Sequence, residues 1–228
     1  MTNLYTFRLH TETCELPCFI INEVLNPEEC DKLVEDQKDN LETAGHQWNG
    51  ETVVGEHTNI RDSRTAWFIN QGLSELIRSC VDIVNYEAGW RYDIIDHETF
   101  QFTEYTKGQH YSWHTDGPGC CHNAARKSSM FHNKDTLEYT RQTNLLGTVR
   151  KISVSGILND DYEGGELQFR TLSSMGEVEE SSVVCKKGDV VVFPSYINHR
   201  VKPVTKGVRY SVVAWYGGPP FKLSLIHI

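Results

Sequence analysis

This chain lacks the excess of lysine and arginine that binding to a phosphate backbone demands. It carries 22 basic side chains against 31 acidic ones, a formal net charge of −9. General nucleic-acid binding is therefore set aside. Also missing is any apolar run near the ~18–20 residues that cross a bilayer as a helix, and residues 1–10 lack the basic-then-apolar plan of a secretory leader. No membrane partner is expected. The seven cysteines, at positions 14, 18, 30, 80, 120, 121 and 185, lack the paired spacing of a structural zinc site. Only Cys14 and Cys18 stand close enough, and no second pair follows. Reduced thiols in a cytoplasmic compartment are the expectation. There is no internal repeat and no low-complexity tract. What these absences leave is a ligand-handling protein whose 228 residues suit a single domain, 1–228.

The charge that is present is unevenly placed. Residues 1–60 hold 12 acidic and 3 basic side chains, which accounts for the whole net charge, and from Tyr105 onward 15 basic residues outnumber 11 acidic ones. The early part reads as helical. Asn26-Pro27-Glu28-Glu29 is a helix start, with an N-cap, a proline in the first turn and carboxylates near the positive end of the dipole. That helix should reach residue 40. A second should cover residues 73–88 and stop at Gly89. Between them, residues 45–55 are polar and turn-rich. From Arg91 the texture changes to short β-like runs at 92–95, 99–105, 151–158, 167–170, 183–185, 190–193 and 210–216, punctuated by Gly164-Gly165, Gly188-Asp189 and Lys206-Gly207. The pattern predicts an α+β protein with a jelly-roll sheet core over 92–222, a helical and strand support region over 1–91, and a long loop at 117–150.

His114-Thr115-Asp116 follows a strand-like run, and His199 stands 83 residues beyond Asp116. Two imidazoles and one carboxylate are the donor set that holds Fe(II) while leaving three positions open. A lone His-x-Asp is weak among ten histidines, any of which reads equally well as a surface or core imidazole. The context of His199 adds weight. Residues 188–194 give a turn and a buried strand leading towards it, Arg209 follows ten residues later, and Ser211 two beyond that. In a strand, residues two apart share a face, so Arg209 and Ser211 can converge on one anion. A guanidinium suits a carboxylate bidentately. An internal pair between Arg209 and an acidic side chain is the alternative.

Three ordered blocks now resemble a known family. They are Tyr105-Thr-Lys-Gly-Gln-His-Tyr-Ser-Trp-His114-Thr-Asp116, then Glu163-Gly164-Gly165-Glu166-Leu167, then Gly188-Asp189 through His199 to Arg209. Together they resemble the Fe(II)/2-oxoglutarate-dependent dioxygenases, in their prolyl 4-hydroxylase-like branch, over residues 99–215. The resemblance implies a double-stranded β-helix. It makes His114, Asp116 and His199 the metal ligands, and assigns Arg209, Tyr105 and Ser211 to 2-oxoglutarate. Tyr111, Arg150 and Trp215 fall where relatives place substrate contacts. Two departures stand out: Leu167 where relatives carry a threonine that contacts 2-oxoglutarate, and Gly217 where they carry a histidine in the substrate groove. Ser211, Ser153 or Ser155 could supply the hydrogen bond that Leu167 cannot.

The resemblance further implies Fe(II), 2-oxoglutarate and O2 as reactants, ascorbate as a candidate reductant, and hydroxylation of an unactivated C–H with release of succinate and CO2. A peptidyl proline is the expected substrate, in a monomer or homodimer. A free amino acid or other small molecule is the rival within the same chemistry, and a non-enzymatic jelly-roll binding module the rival outside it. Arg61-Asp62-Ser63-Arg64 is a further candidate for the substrate entrance.

Overall fold

The computed structural model describes residues 18–48, 51–54, 59–117, 145, 147–173 and 175–221. Most of the expected 117–150 loop, the apolar residues 223–228, and Cys14, Cys120 and Cys121 lie outside the described residues. Seventeen strands and two α-helices are present among them. In chain order the first strands are β1 (Phe19–Ile21), β2 (Glu42–Thr43), β3 (Gly45–Trp48), β4 (Glu51–Val54), β5 (Arg61–Asp62) and β6 (Arg64–Phe68). They are followed by β7 (Asp96–His97), β8 (Phe100–Tyr105), β9 (His110–His114), β10 (Val149–Ile157), β11 (Glu163–Gly164) and β12 (Leu167–Leu172). The last are β13 (Val178–Ser182), β14 (Val190–Pro194), β15 (Asn198–Val201), β16 (Val204–Lys206) and β17 (Arg209–Gly218).

Helix α1 (Pro27–Gln37) begins as its sequence dictates. The Asn26 side chain accepts from the Glu29 amide at 2.9 Å, and the Glu29 carboxylate accepts from the Asn26 amide at 2.8 Å, a reciprocal capping box. It ends three residues earlier than expected, since Lys38–Asn40 tighten into a 3-10 turn. Helix α2 (Gln71–Glu87) is capped by Asn70, whose side chain accepts from the Leu73 amide at 3.0 Å. This adds polar residues ahead of the apolar stripe that sequence periodicity detects. Leu73, Ile77, Cys80, Val81 and Val84 are buried.

The strands form two facing antiparallel sheets. The major sheet runs β1-β14-β10-β17-β8-β6-β2, with β7 added beside β17, and the minor sheet runs β13-β12-β15-β9-β5. Both helices pack on the outer face of the major sheet, where Phe100, Phe102, Val190, Val192, Val212 and Ala214 meet the α2 stripe. The opposite face looks into the jelly roll. With both faces covered, β8, β10, β14 and β17 are buried nearly throughout.

Inward-facing positions on these strands are unusually polar: Gln101, Thr103, Ser153, Arg209 and Ser211 are all buried. Burying such groups is costly without a partner, so this interior is a cavity wall as well as a core.

Three local expectations are corrected. Residues 92–95 form no strand, because the Asn85 side chain takes both the Tyr92 amide and its carbonyl at 2.9 Å. Residues 183–185 are likewise irregular. The strand lies just before them at β13, an edge strand rich in glutamate that pairs Leu172 with Val178 and shows no apolar alternation. Residues 45–55, read as turn-rich, contain a hairpin between β3 and β4.

Candidate active site

One cavity opens between the sheets, lined by Tyr105, Tyr111, His114, Asp116, Leu167, His199, Arg209, Ser211 and Trp215 together with Arg61, Gln101 and Thr103. The end that gathers His114, Asp116 and His199 is assembled from the minor sheet. Antiparallel pairing sets His199 on β15 opposite His114 at the end of β9, and Asp116 lies just beyond β9. The His114 Nε2 stands 3.6 Å and the His199 Nε2 3.5 Å from the Asp116 carboxylate oxygens. Ligand atoms of the three residues all lie within 4.8 Å of one another.

Each imidazole is oriented from behind. The Ser112 carbonyl sits 2.8 Å from His114 Nδ1, and the Ile197 carbonyl 2.9 Å from His199 Nδ1. A carbonyl can only accept, so both Nδ1 atoms carry a proton and both Nε2 atoms point into the cluster.

Burial, reinforced by His114 and only partly offset by Asp116, pushes the His199 pKa down to about 4. Burial alone would raise that of Asp116, but His199, His114 and Arg150 hold its carboxyl well below the usual range. At neutral pH His199 is thus a neutral imidazole and Asp116 a carboxylate, beside the His114 ring. This donor set fits a divalent metal with open positions.

The other end is built from the major sheet. Register pairs Arg209 on β17 with Tyr105 on β8, and Ser211 with Thr103. Arg209 is 1% exposed. Its Nη1 donates to the Ser211 hydroxyl at 2.9 Å, its guanidinium lies 5.6 Å from the Tyr105 ring centre, and its Nε has no partner. Among the described residues no carboxylate pairs with it. A buried guanidinium without a counter-ion calls for an anion, and the carboxylate of a small acid fits. Gly165 makes room for this arrangement: a Cβ there would fall 3.0 Å from the Arg209 side chain, at a φ of +67°. Leu167 lines the cavity and offers no hydrogen bond. Of the serines considered in its stead, Ser211 is engaged by Arg209 and Ser153 by Ser195, at 2.9 Å each, while Ser155 is on the cavity wall.

The three expected substrate contacts are placed differently from one another. Tyr111 stacks flat on His114, with ring centres 3.5 Å apart. A β-bulge makes this possible: Val201 and His199 oppose Tyr111 and His114, so β9 carries one residue more than β15 between these pairs. Simple alternation would put Ser112 beside His114 instead. Trp215 lines the cavity, and its buried indole Nε1 has no partner among the described residues. Arg150 lies behind Trp215, its guanidinium 4.1 Å from that ring, and makes a bidentate pair with Glu98.

Arg61, a candidate for the substrate entrance, does line the cavity, and Gln101 beside it escapes motif-based reading. Gln101 accepts from Arg61 Nη2 at 2.9 Å, while the Arg61 guanidinium lies 4.7 Å from the centre of the Tyr111 ring. The Gln101 signal was available in Phe100-Gln-Phe-Thr-Glu-Tyr105, where apolar and polar residues alternate within a fully buried strand.

Comparison with known proteins agrees with this geometry. The sequence model of the 2OG-Fe(II) oxygenase superfamily matches residues 100–217, from the start of β8 to the end of the cavity wall. The chain belongs to the 2OG-Fe(II) oxygenase superfamily. Among curated relatives of this oxygenase, a PKHD-type hydroxylase of Alteromonas mediterranea is 28% identical over 114 residues, covering 50% of this chain and 41% of the relative. Another, of Psychrobacter sp., is 31% identical over 116 residues, covering 50% of this chain and 36% of the relative. The matched region therefore spans less than half the length of these relatives.

Among solved structures, the viral collagen prolyl hydroxylase of Paramecium bursaria Chlorella virus-1 aligns over 90% of this chain and 97% of its own, with a TM-score of 0.59 at 18% identity. A Trichoplax adhaerens prolyl hydroxylase, solved with a hypoxia-inducible-factor peptide fragment, aligns over 89% and 84% with a TM-score of 0.61 at 20% identity. At such identities the likeness is one of fold, and that fold is the double-stranded β-helix. No described helix of this oxygenase is long and apolar enough to cross a membrane.

Proposed function

We propose that this oxygenase is an Fe(II)- and 2-oxoglutarate-dependent dioxygenase that hydroxylates an unactivated C–H, with peptidyl proline as the first substrate to test. The observation that carries the reading is the cavity's polarity: at one end a buried arginine that no carboxylate among the described residues pairs with, at the other a cluster of two imidazoles and a carboxylate. His114, Asp116 and His199 would hold the metal. Arg209 would take the distal carboxylate of 2-oxoglutarate, with Tyr105 and Ser211 closing around it. Bound together, Fe(II), 2-oxoglutarate and O2 supply the oxidising power, with succinate and CO2 released and ascorbate available as reductant.

The chain's own residues orient and shield. The backbone carbonyls of Ser112 and Ile197 keep both imidazoles in one tautomer. Leu167, Phe193 and Val201 give the cavity apolar walls, which strengthens the Arg209 charge by excluding water. The unpartnered Trp215 Nε1 is a donor for a substrate acceptor, and the Tyr111 ring forms the wall beside His114. Four free cysteines among the described residues, three of them buried, suit a reducing, cytoplasmic setting.

One observation favours the small-molecule reading over a peptide held as in the prolyl 4-hydroxylases. Gly217 stands where those enzymes carry a groove histidine, and a Cβ there would fall 3.0 Å from the Thr148 hydroxyl and 3.1 Å from Leu145. No larger side chain fits without displacement. The decisive experiment incubates the chain with Fe(II), 2-oxoglutarate and either a proline-rich peptide library or a pool of amino acids, reading succinate and a hydroxylated product by mass spectrometry. Product in neither pool, with no uptake of O2, would reduce the chain to a binding module.

A further inference from the structure

The resemblance points Arg150 at substrate, yet its guanidinium is committed on three sides. Nε and Nη2 grip the two carboxylate oxygens of Glu98 at 2.6 and 2.7 Å, one face lies against Trp215, and Nη1 donates to the main-chain carbonyl of Asp116 at 3.2 Å. Glu98 is 2% exposed, and its own amide donates to the Trp215 carbonyl at 2.9 Å. A fork of this kind is rigid, because two parallel charge-assisted bonds fix both position and plane.

What the fork holds is the backbone of a candidate metal ligand. Asp116 lies past the end of β9, so no strand ladder fixes it. Its amide and that of Gly117 both donate to the Ser195 carbonyl, at 2.9 and 3.0 Å, and its carbonyl is taken by Arg150. The turn passes so close that a Cβ on Gly117 would come 3.0 Å from the Arg150 carbonyl. With its amide and carbonyl both anchored, the Asp116 backbone has one orientation, and that orientation aims the carboxylate between the two imidazoles. Glu98 also neutralises the guanidinium, so a cation arriving at Asp116 does not meet a bare positive charge behind it.

We infer that Arg150 is a positioning residue, which with Glu98 fixes the Asp116 turn for metal binding. The inference rests on the proposed metal centre. Its test is titration of the full chain with Co(II), followed by calorimetry and by the visible absorption of the bound ion. Arg150→Gln is expected to weaken Co(II) binding about tenfold or more, the usual cost of losing a group that orients a ligand. Arg150→Lys should recover part of the loss.

Removing one partner of a buried pair can unfold a protein, whereas replacing both with apolar residues is often neutral. The double variant Glu98→Leu/Arg150→Met is therefore made alongside, with folding checked by circular dichroism, and should show the same weakened Co(II) binding. Co(II) affinity within twofold of the parent in the folded variants overturns the inference, whatever happens to turnover. That outcome combined with a raised KM for substrate would return Arg150 to the substrate groove. Failure of the parent chain to bind Co(II) at all would instead overturn the metal centre itself.

Discussion

The two ends of the cavity are held in place by different means. Arg209 and Ser211 stand two apart on one long strand, paired to Tyr105 and Thr103 by unbroken antiparallel register, with the helix layer stiffening the sheet behind them. His114, Asp116 and His199 come instead from the end of one short strand, the turn after it and a second short strand paired to the first, and beyond that pairing each is held by a carbonyl or a side chain. The anion end is set by strand register alone, and the other end by strand pairing for its two imidazoles and by tertiary contacts for Asp116. Losses at the anion end should therefore stay local, while the proposed metal end should also respond to groups such as Arg150 that hold the Asp116 backbone.

The largest expected effect tests whether the metal end is indispensable. Replacing His199 with alanine should bring 2-oxoglutarate decarboxylation to background and abolish Co(II) binding, with the circular dichroism spectrum kept. Substantial remaining decarboxylation would sink the assignment of the triad. Next comes Arg209→Met, which should raise the KM for 2-oxoglutarate by roughly a hundredfold, the cost of about 2–3 kcal/mol for a lost charge-assisted contact, and leave Co(II) affinity unchanged. The same variant removes a buried charge without a counter-ion. The ligand-free protein should melt higher by a few degrees, at roughly 2–4 °C per kcal/mol for a chain of this size. A lower melting point would show that Arg209 has another anionic partner.

Acid should separate the ends further. Burial holds the folded His199 pKa near 4, below the ordinary imidazole value of 6.5. Between these values the unfolded chain binds more protons, so stability falls as pH drops through that window. The ligand-free melting temperature should decline from pH 6.5 to 4, and His199→Asn should flatten that decline. An identical slope in the variant would place the acid sensitivity elsewhere. The smallest effect serves as a control for the helix layer: Asn70→Ala removes the α2 cap and should cost about 1 kcal/mol, seen as a lower melting temperature with both ligand affinities intact.

The same contrast explains what could be read from sequence. Arg209 and Ser211 were visible as a pair because strand alternation places them together, and α2 because its apolar stripe is regular. His114, Asp116 and His199 showed in the sequence as a weak His-x-Asp with a distant histidine and gained weight from the family resemblance. The stacking of Tyr111 on His114 was hidden, since the alternation rule fails at the bulge in β9 and puts Ser112 where Tyr111 stands. Glu98 gave no signal. An acidic residue just ahead of a strand looks solvated until the fold buries it under Arg150 and Trp215. The strand expected at 92–95 failed for a similar reason, as the amide of Asn85, seven residues back, satisfies the backbone that a neighbouring strand would have taken.

Arg209, folded into the interior with no counter-ion among the described residues, has a consequence for the life of the protein in a cell. An anion that seats on it binds the native chain and not the unfolded one, and so shifts the folding equilibrium by mass action. The fraction of molecules open to proteases would then fall as that anion accumulates. Abundance would follow the supply of the dicarboxylate, with no dedicated sensor and no change in transcription.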